Sequence, residues 1–368
     1  MRHILFFGLG LAAAASAASA NSLRDNFDKR ALDLKNWSAA QINPSQIGFE
    51  QPGRCGGAAI RITVKAKDGG SSCDSCQRAE VRVNQQFQPK YGDEMWYAFS
   101  FRVSGDVPRD GASRNVIAQF KAPGDDSPFL AQRIDNGVFQ ITMEDSGVRR
   151  VIAKSEGDPE SLGKAQNLLS GYDPSDARGR MVMRNLQAVH RIARTTPDIA
   201  GLLFTHDAQS GLRMPAGKDF TSANGAKMSS LFGMEGEDAA VAMREMVAVN
   251  DIDRYLGRAD ITVAPGPGAV LPNPFDGWVD MVYRIKGGRT DNTAGPNHQG
   301  EVDIWANGRL VANVRGNFGN KLTATPADTA MYFKFGIYRD ARPFEQKVLF
   351  DEYAQGTSRS DVTLACAK

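Results

Sequence analysis

The chain has 368 residues and a formal net charge of +2, with a sequence pI of about 8.3. That balance calls for no nucleic-acid partner, so local clusters of charge carry more information than the total. Beyond the N-terminus, no stretch approaches the roughly 20 apolar residues that a membrane-spanning helix needs.

Residues 1–20 read as an export signal. Arg2 and His3 are basic, Ile4 to Ala17 are mostly apolar, and Ala18-Ser19-Ala20 has the small-x-small pattern of a signal peptidase site. The expected mature chain begins at Asn21, is periplasmic or secreted, and forms a single monomeric domain over 21–368. Cys55, Cys73, Cys76 and Cys366 in an exported protein favour disulfides over metal ligation. Three connectivities are possible, and sequence does not choose among them. The preferred pairing is a local Cys73–Cys76 staple with a Cys55–Cys366 link between the chain ends. The Cys73-x-x-Cys76 spacing has no second such pair or paired histidines to complete a zinc site, so no metal or other cofactor is expected, and no EF-hand-like loop indicates calcium.

Strand patterns dominate both ends of the chain. Ala59 to Val64, Arg78 to Val83, Met95 to Val103, Asn115 to Lys121 and Val138 to Met143 are short, rich in β-branched or aromatic residues, and often alternating. The same texture returns at Trp278 to Ile285, Gly300 to Trp305, Leu310 to Val314, Met331 to Tyr338 and Lys347 to Tyr353, with Asn307-Gly308 as a hairpin turn. Many short strands predict an all-β sandwich or jelly roll. Between them, about 147–268, the pattern turns irregular and partly helical, as at Asp176 to Thr195 and Glu237 to Leu256. This reads as an insertion that walls one side of a cleft, because a structureless loop of such length is improbable.

Three strands carry polar residues on one face. Period-two geometry aligns Arg78, Glu80 and Arg82; then Asn115, Gln119 and Lys121; then Tyr332, Lys334, Gly336 and Tyr338. Their opposite faces are apolar. For any one strand this is an ordinary solvated face, but the three share cations, amides and tyrosines, which suit an anionic, hydroxyl-rich polymer.

The same residues carry a resemblance. Arg78-Ala79-Glu80-Val81-Arg82 resembles the R-x-E-x-R strand of the alginate lyase and heparin lyase I-like superfamily. Ile117-Ala118-Gln119-Phe120-Lys121 occupies the place of its Q-x-H strand, and Tyr332 to Arg339 resembles its Y-F-K-x-G-x-Y strand. Trp278-Val279-Asp280 and Val302 to Gly308 resemble strands of the heparin lyase I and glucuronan lyase branch. The resemblance implies a concanavalin-like jelly-roll lyase that cleaves a uronic-acid-containing polysaccharide, such as glucuronan, alginate or a heparin-like chain, by β-elimination. It implies Tyr338 as the catalytic tyrosine, Gln119 and Arg78 as carboxylate-neutralising groups, and Arg82 and Lys334 as substrate-binding groups. Asn115, Tyr332 and Arg339 complete the expected substrate contacts, and Glu80 is the expected ion-pair support for Arg78 and Arg82. One departure stands out: Lys121 occupies the position of the family's usual histidine. Whether Tyr338 or Lys121 is the base stays open. Lys121 is favoured as neutraliser, and Tyr338, with cations to lower its pKa, as proton carrier.

Two rival classes remain. A sandwich glycoside hydrolase needs paired carboxylates, and Glu301-Val302-Asp303 lacks the further glutamate of such strands. A non-catalytic glycan-binding protein on the same fold is compatible with the substitution at Lys121. His190, His206 and His298 have no motif partner, although the loop holding His298 is placed to reach the cleft.

Overall fold

The computed structural model describes residues 21–69, 76–105, 114–121, 127–195, 251–287, 300–318, 330–364 and 366, with single gaps at 91, 136, 146, 158, 174 and 258, together with residues 107, 246 and 249. Residues 1–20, Cys73, His206 and His298 lie outside them, as does most of the expected helix at 237–256.

Sixteen strands form two antiparallel sheets among the described residues. One contains β2 (Trp37–Gln41), β5 (Cys76–Val83), β7 (Asn115–Lys121), β8 (Leu130–Asp135), β9 (Val138–Asp145), β10 (Val148–Lys154) and β15 (Tyr332–Asp340). Its order is β10-β9-β8-β7-β15-β5-β2, so the three polar-faced strands β7, β15 and β5 are immediate neighbours. The other sheet runs β11-β14-β13-β12-β6-β16-β4-β3, with β1 also paired to β16. Its members are β1 (Leu23–Asp25), β3 (Ile47–Glu50), β4 (Ala59–Val64), β6 (Glu94–Ser104), β11 (Ile261–Pro265), β12 (Val279–Lys286), β13 (Gly300–Ala306), β14 (Arg309–Gly316) and β16 (Gln346–Gly356). This is the expected all-β sandwich of jelly-roll type.

The sheets are joined by the apolar faces that the alternation marks. Phe99 of β6 meets Phe333 of β15 at 5.0 Å between ring centroids, Tyr97 meets Phe120 of β7 at 4.9 Å, and Phe335 meets Phe350 of β16 at 4.7 Å. Aromatic pairs at these separations add about 0.5–1.5 kcal/mol each beyond the area they bury. A buried hydrogen bond crosses the same layer, from Gln132 Nε2 to the Tyr283 hydroxyl at 2.5 Å.

The region 147–268 is less separate than its sequence suggests. Its ends are strands: β10 closes one sheet and β11 the edge of the other. Between them the described residues include helices α1 (Pro159–Leu169) and α2 (Ala177–Thr195) and a 3-10 turn at Ile252–Tyr255. Gln166 of α1 fastens this material to the sheet by donating to the carbonyls of Arg149 (2.6 Å) and Tyr255 (3.2 Å). His190 is a structural residue, buried with its Nε2 2.7 Å from the Val249 carbonyl oxygen.

Cys55 and Cys366 form a disulfide across 311 residues of sequence. Cys76 is also disulfide-bonded. Because the Cys55–Cys366 link restrains so much of the unfolded chain, its removal is expected to cost about 2–4 kcal/mol. Paired Cys55→Ser and Cys366→Ser substitutions should lower the denaturant midpoint accordingly; an unchanged midpoint would show that the link stabilises nothing.

Candidate active site

An open groove of about 430 Å³ crosses the outer face of the β2-to-β10 sheet. Seven residues expected from sequence line it: Arg78 and Arg82 from β5, Gln119 and Lys121 from β7, and Tyr332, Lys334 and Tyr338 from β15. Strand pairing brings them together in rows. Tyr338 pairs with Arg78 on one side and Val116 on the other, while Lys334 pairs with Arg82 and Gln119.

Tyr338 sits among guanidinium groups. The Arg78 and Arg114 Cζ atoms lie 3.8 and 4.2 Å from its ring centroid, and Arg114 is held by Asp340 at 3.2 Å. Gly336, between Lys334 and Tyr338, has φ +137°, and a Cβ added there would collide with the Ala79 carbonyl oxygen. Only glycine lets β15 lie this close to β5 with both of its functional neighbours in the groove.

Glu80 lies beneath the row at 2% exposure. One carboxylate oxygen accepts a hydrogen bond from Gln119 Nε2, and the other is 3.2 Å from Arg78 Nε. Glu80 thus holds two of the expected functional groups at once. Arg82, the other cation expected on Glu80, instead lies 5.5 Å from the Tyr332 ring centroid.

Lys334 is buried, with Nζ donating to Gln41 Oε1 at 2.7 Å. Burial pushes its pKa down to about 8; Glu80 opposes that shift, and the cations Lys121, Arg78 and Arg82 reinforce it.

Two expected contacts are absent from the groove. Asn115 faces the interior, where its amide exchanges hydrogen bonds with Gln346 of the opposite sheet. The cause is a register shift in β7 between Val116 and Ala118, centred on Ile117. Ile117 and Ala118 both enter the core, so the alternation reverses: Val116 lines the groove and Asn115 turns inward. Arg339 also points inward, at 1% exposure, and donates to Gln77, Gln346 and the Phe344 carbonyl. It shares strand parity with Ile337, and that parity, not proximity to Tyr338, decides its side.

Sequence reasoning missed Arg114, Arg133 of β8, Arg149 of β10, and Asp251 and Arg254 of the inserted region, all of which line the groove. In all, the lining has eight cationic residues (Arg78, Arg82, Arg114, Lys121, Arg133, Arg149, Arg254, Lys334) against two acidic ones, Asp251 and Asp340. Asp303 and Trp305 lie elsewhere, on the outer face of the other sheet. There Asp303 binds Arg284 and Arg315, both at 2.9 Å, and Trp305 stacks on Trp96 at 5.5 Å.

No group of three or more potential metal ligands occurs among the described residues. None of their helices is long and apolar enough to cross a membrane.

Residues 29–172 match the family model described as polysaccharide lyase. No curated protein matches the chain. Among solved structures it is similar to the endo-β-1,4-glucuronan lyase of the fungus Trichoderma reesei, at 16% identity and TM-score 0.38, over 89% of each chain. It is also similar to an alginate lyase of polysaccharide lyase family 7, at 12% identity and TM-score 0.40, over 90% of this chain and 98% of that one. A cellulose-induced protein matches over 91% of this chain and 97% of its own, at 10% identity and TM-score 0.39.

Proposed function

We propose that the chain cleaves a uronic-acid-containing polysaccharide by β-elimination in this groove. The observation that carries the reading is the lining itself: eight cationic side chains against two acidic, with a tyrosine hydroxyl in their midst. Such a surface attracts a polyanion and supplies the chemistry its cleavage needs.

Elimination removes the proton on the carbon bearing the carboxylate and expels the glycosidic oxygen from the neighbouring carbon. The C–H electron pair becomes the new carbon–carbon double bond, and the leaving oxygen takes up a proton. The abstracted proton is barely acidic until the carboxylate charge is offset, so cations and amide donors at that carboxylate lower the barrier. Gln119, Arg78 and Lys121 fill this role, Arg82, Lys334 and Tyr332 hold the polymer, and Tyr338 carries the proton. The two acidic groove residues disfavour a hydrolase, because Asp340 is committed to Arg114 and Asp251 to Arg254. The disulfide supports an exported protein.

The test is a panel of glucuronan, alginate, heparin and heparan sulfate, followed by the ultraviolet absorbance of unsaturated uronate. New absorbance with at least one polymer is expected. Binding without that chromophore would leave a glycan-binding protein, and reducing ends without it a hydrolase.

The low pKa of Lys334 gives this reading a pH signature. The residue loses its charge as pH rises through about 8, so KM for an anionic polymer should climb from there. Lys334→Arg should flatten that climb, since arginine keeps its charge; an identical pH profile in the variant would remove Lys334 from substrate binding. The stability effect runs the other way. The unfolded lysine stays protonated to about pH 10.4, so this residue opposes folding below about 8. That cost is relieved as pH rises between the two values.

A further inference from the structure

The groove extends beyond Tyr338 toward β10. Val116 pairs with Tyr338 on one side and with Arg133 on the other, so Arg133 lies two strands from the tyrosine on the same face. Strand spacing puts that displacement at about 10 Å. Arg133 is only 2% exposed. Its Nε donates to Thr142 Oγ1 at 3.0 Å, but its Nη1 has no hydrogen-bond partner among the described residues.

Asp135 and Glu144 lie close enough to attract Arg133 by charge, but their hydrogen bonds and ion pairs go to other groups. Glu144 is bound by Arg149 at 3.2 Å and Arg254 at 3.3 Å, and Asp251 lies 3.7 Å from Arg254. Asp135 accepts from Gln140 Nε2 and the Asn115 amide, and burial raises its pKa, which disfavours its charge. A buried guanidinium nitrogen without a partner is costly, and native structures seldom keep one without a use. Here it belongs to a residue that lines a polyanion groove.

We propose that Arg133, flanked by Arg149 and Arg254, forms a subsite for the carboxylate of a second uronate, two units along the polymer from the one that reacts. The inference rests on the uronan reading above. In an extended pyranose polymer with equatorial linkages, one unit is about as long as one strand spacing. Successive units face opposite ways, so units two apart present their carboxylates to the same side. A polymer crossing the strands from Tyr338 toward β10 therefore delivers its next same-side carboxylate at Arg133. The subsite depends on the inserted region, which supplies Asp251 and Arg254 to the groove wall.

The test compares full-length protein with its Arg133→Gln and Arg254→Gln variants on β-linked oligoglucuronates of graded length. The wild-type kcat/KM should rise about tenfold once an oligosaccharide reaches the subsite, the gain expected of one charge-assisted hydrogen bond. Arg133→Gln should abolish that gain, and Arg254→Gln, at a side chain 41% exposed, should reduce it. The same length gain in all three proteins would overturn the subsite. If Arg133→Gln does not fold, Arg254→Gln decides. If the wild type forms no unsaturated product at any length, the lyase reading fails, and electrophoresis through gels holding polyglucuronate then tests the subsite alone. Weaker retardation of Arg133→Gln supports it; equal retardation, or none in the wild type, overturns it.

Discussion

Tyr338→Phe is expected to lower kcat on the cleaved uronan by about 10²–10⁴-fold, the loss typical of a missing general acid–base group, with little change in KM. The substitution removes one hydroxyl and leaves the ring that Arg78 and Arg114 approach at 3.8 and 4.2 Å. The ring–cation contacts and the strand geometry set by Gly336 should persist, so unfolding should show a near-native midpoint. Lys121→His provides the companion experiment. Lys121 lies on the same groove face as Gln119, and histidine there restores the residue that the resembling family carries. Retained activity would mean that the position needs a hydrogen-bonding cation rather than lysine itself. Full activity in Tyr338→Phe would remove the tyrosine as proton carrier and leave Lys121 or Lys334, whose pKa of about 8 suits proton transfer.

What the sequence revealed of this site follows from how each strand is buried. From Arg78 to Val83 in β5 and from Tyr332 to Tyr338 in β15 the inner face is apolar and the outer one polar, so period two assigns Arg78, Arg82, Lys334 and Tyr338 to the groove side. β7 obeys the same rule only from Ala118 onward. The register shift at Ile117 is invisible in Asn115-Val116-Ile117, where a β-branched pair fits either face. β8 fails differently: all six of its residues are buried, including Gln132, Arg133 and Asp135. With both faces buried, the contrast between polar and apolar that marks a half-exposed strand is missing. Arg133 is marked only by the sheet, which places it two strands from Tyr338. Arg254 is contributed by a long-range contact, from a 3-10 turn distant in sequence from every motif strand.

Glu80→Ala is expected to destabilise the fold by about 3–5 kcal/mol, the range for removing one partner of a buried ion pair. Glu80 is 2% exposed, and it accepts from Gln119 while pairing with Arg78. It also raises the proton affinity of Lys334 against three neighbouring cations. Without it, Arg78, Lys334, Lys121 and Arg82 face one another with no buried anion beneath them, and Gln119 loses the bond that fixes its amide. Glu80 is a positioning residue, so the loss should appear in several readouts at once. The denaturant midpoint should fall, kcat/KM should fall with it, and the pH at which KM begins to climb should move below about 8, because Lys334 loses its stabilising charge. Glu80→Gln separates charge from hydrogen bonding. Its amide oxygen can still accept from Gln119, so part of the stability should return, while the lowered pH threshold should remain. A purely space-filling role for Glu80 predicts the opposite pattern: full recovery of stability and of the wild-type pH profile in Glu80→Gln. Native stability and activity in Glu80→Ala would refute the anionic support itself.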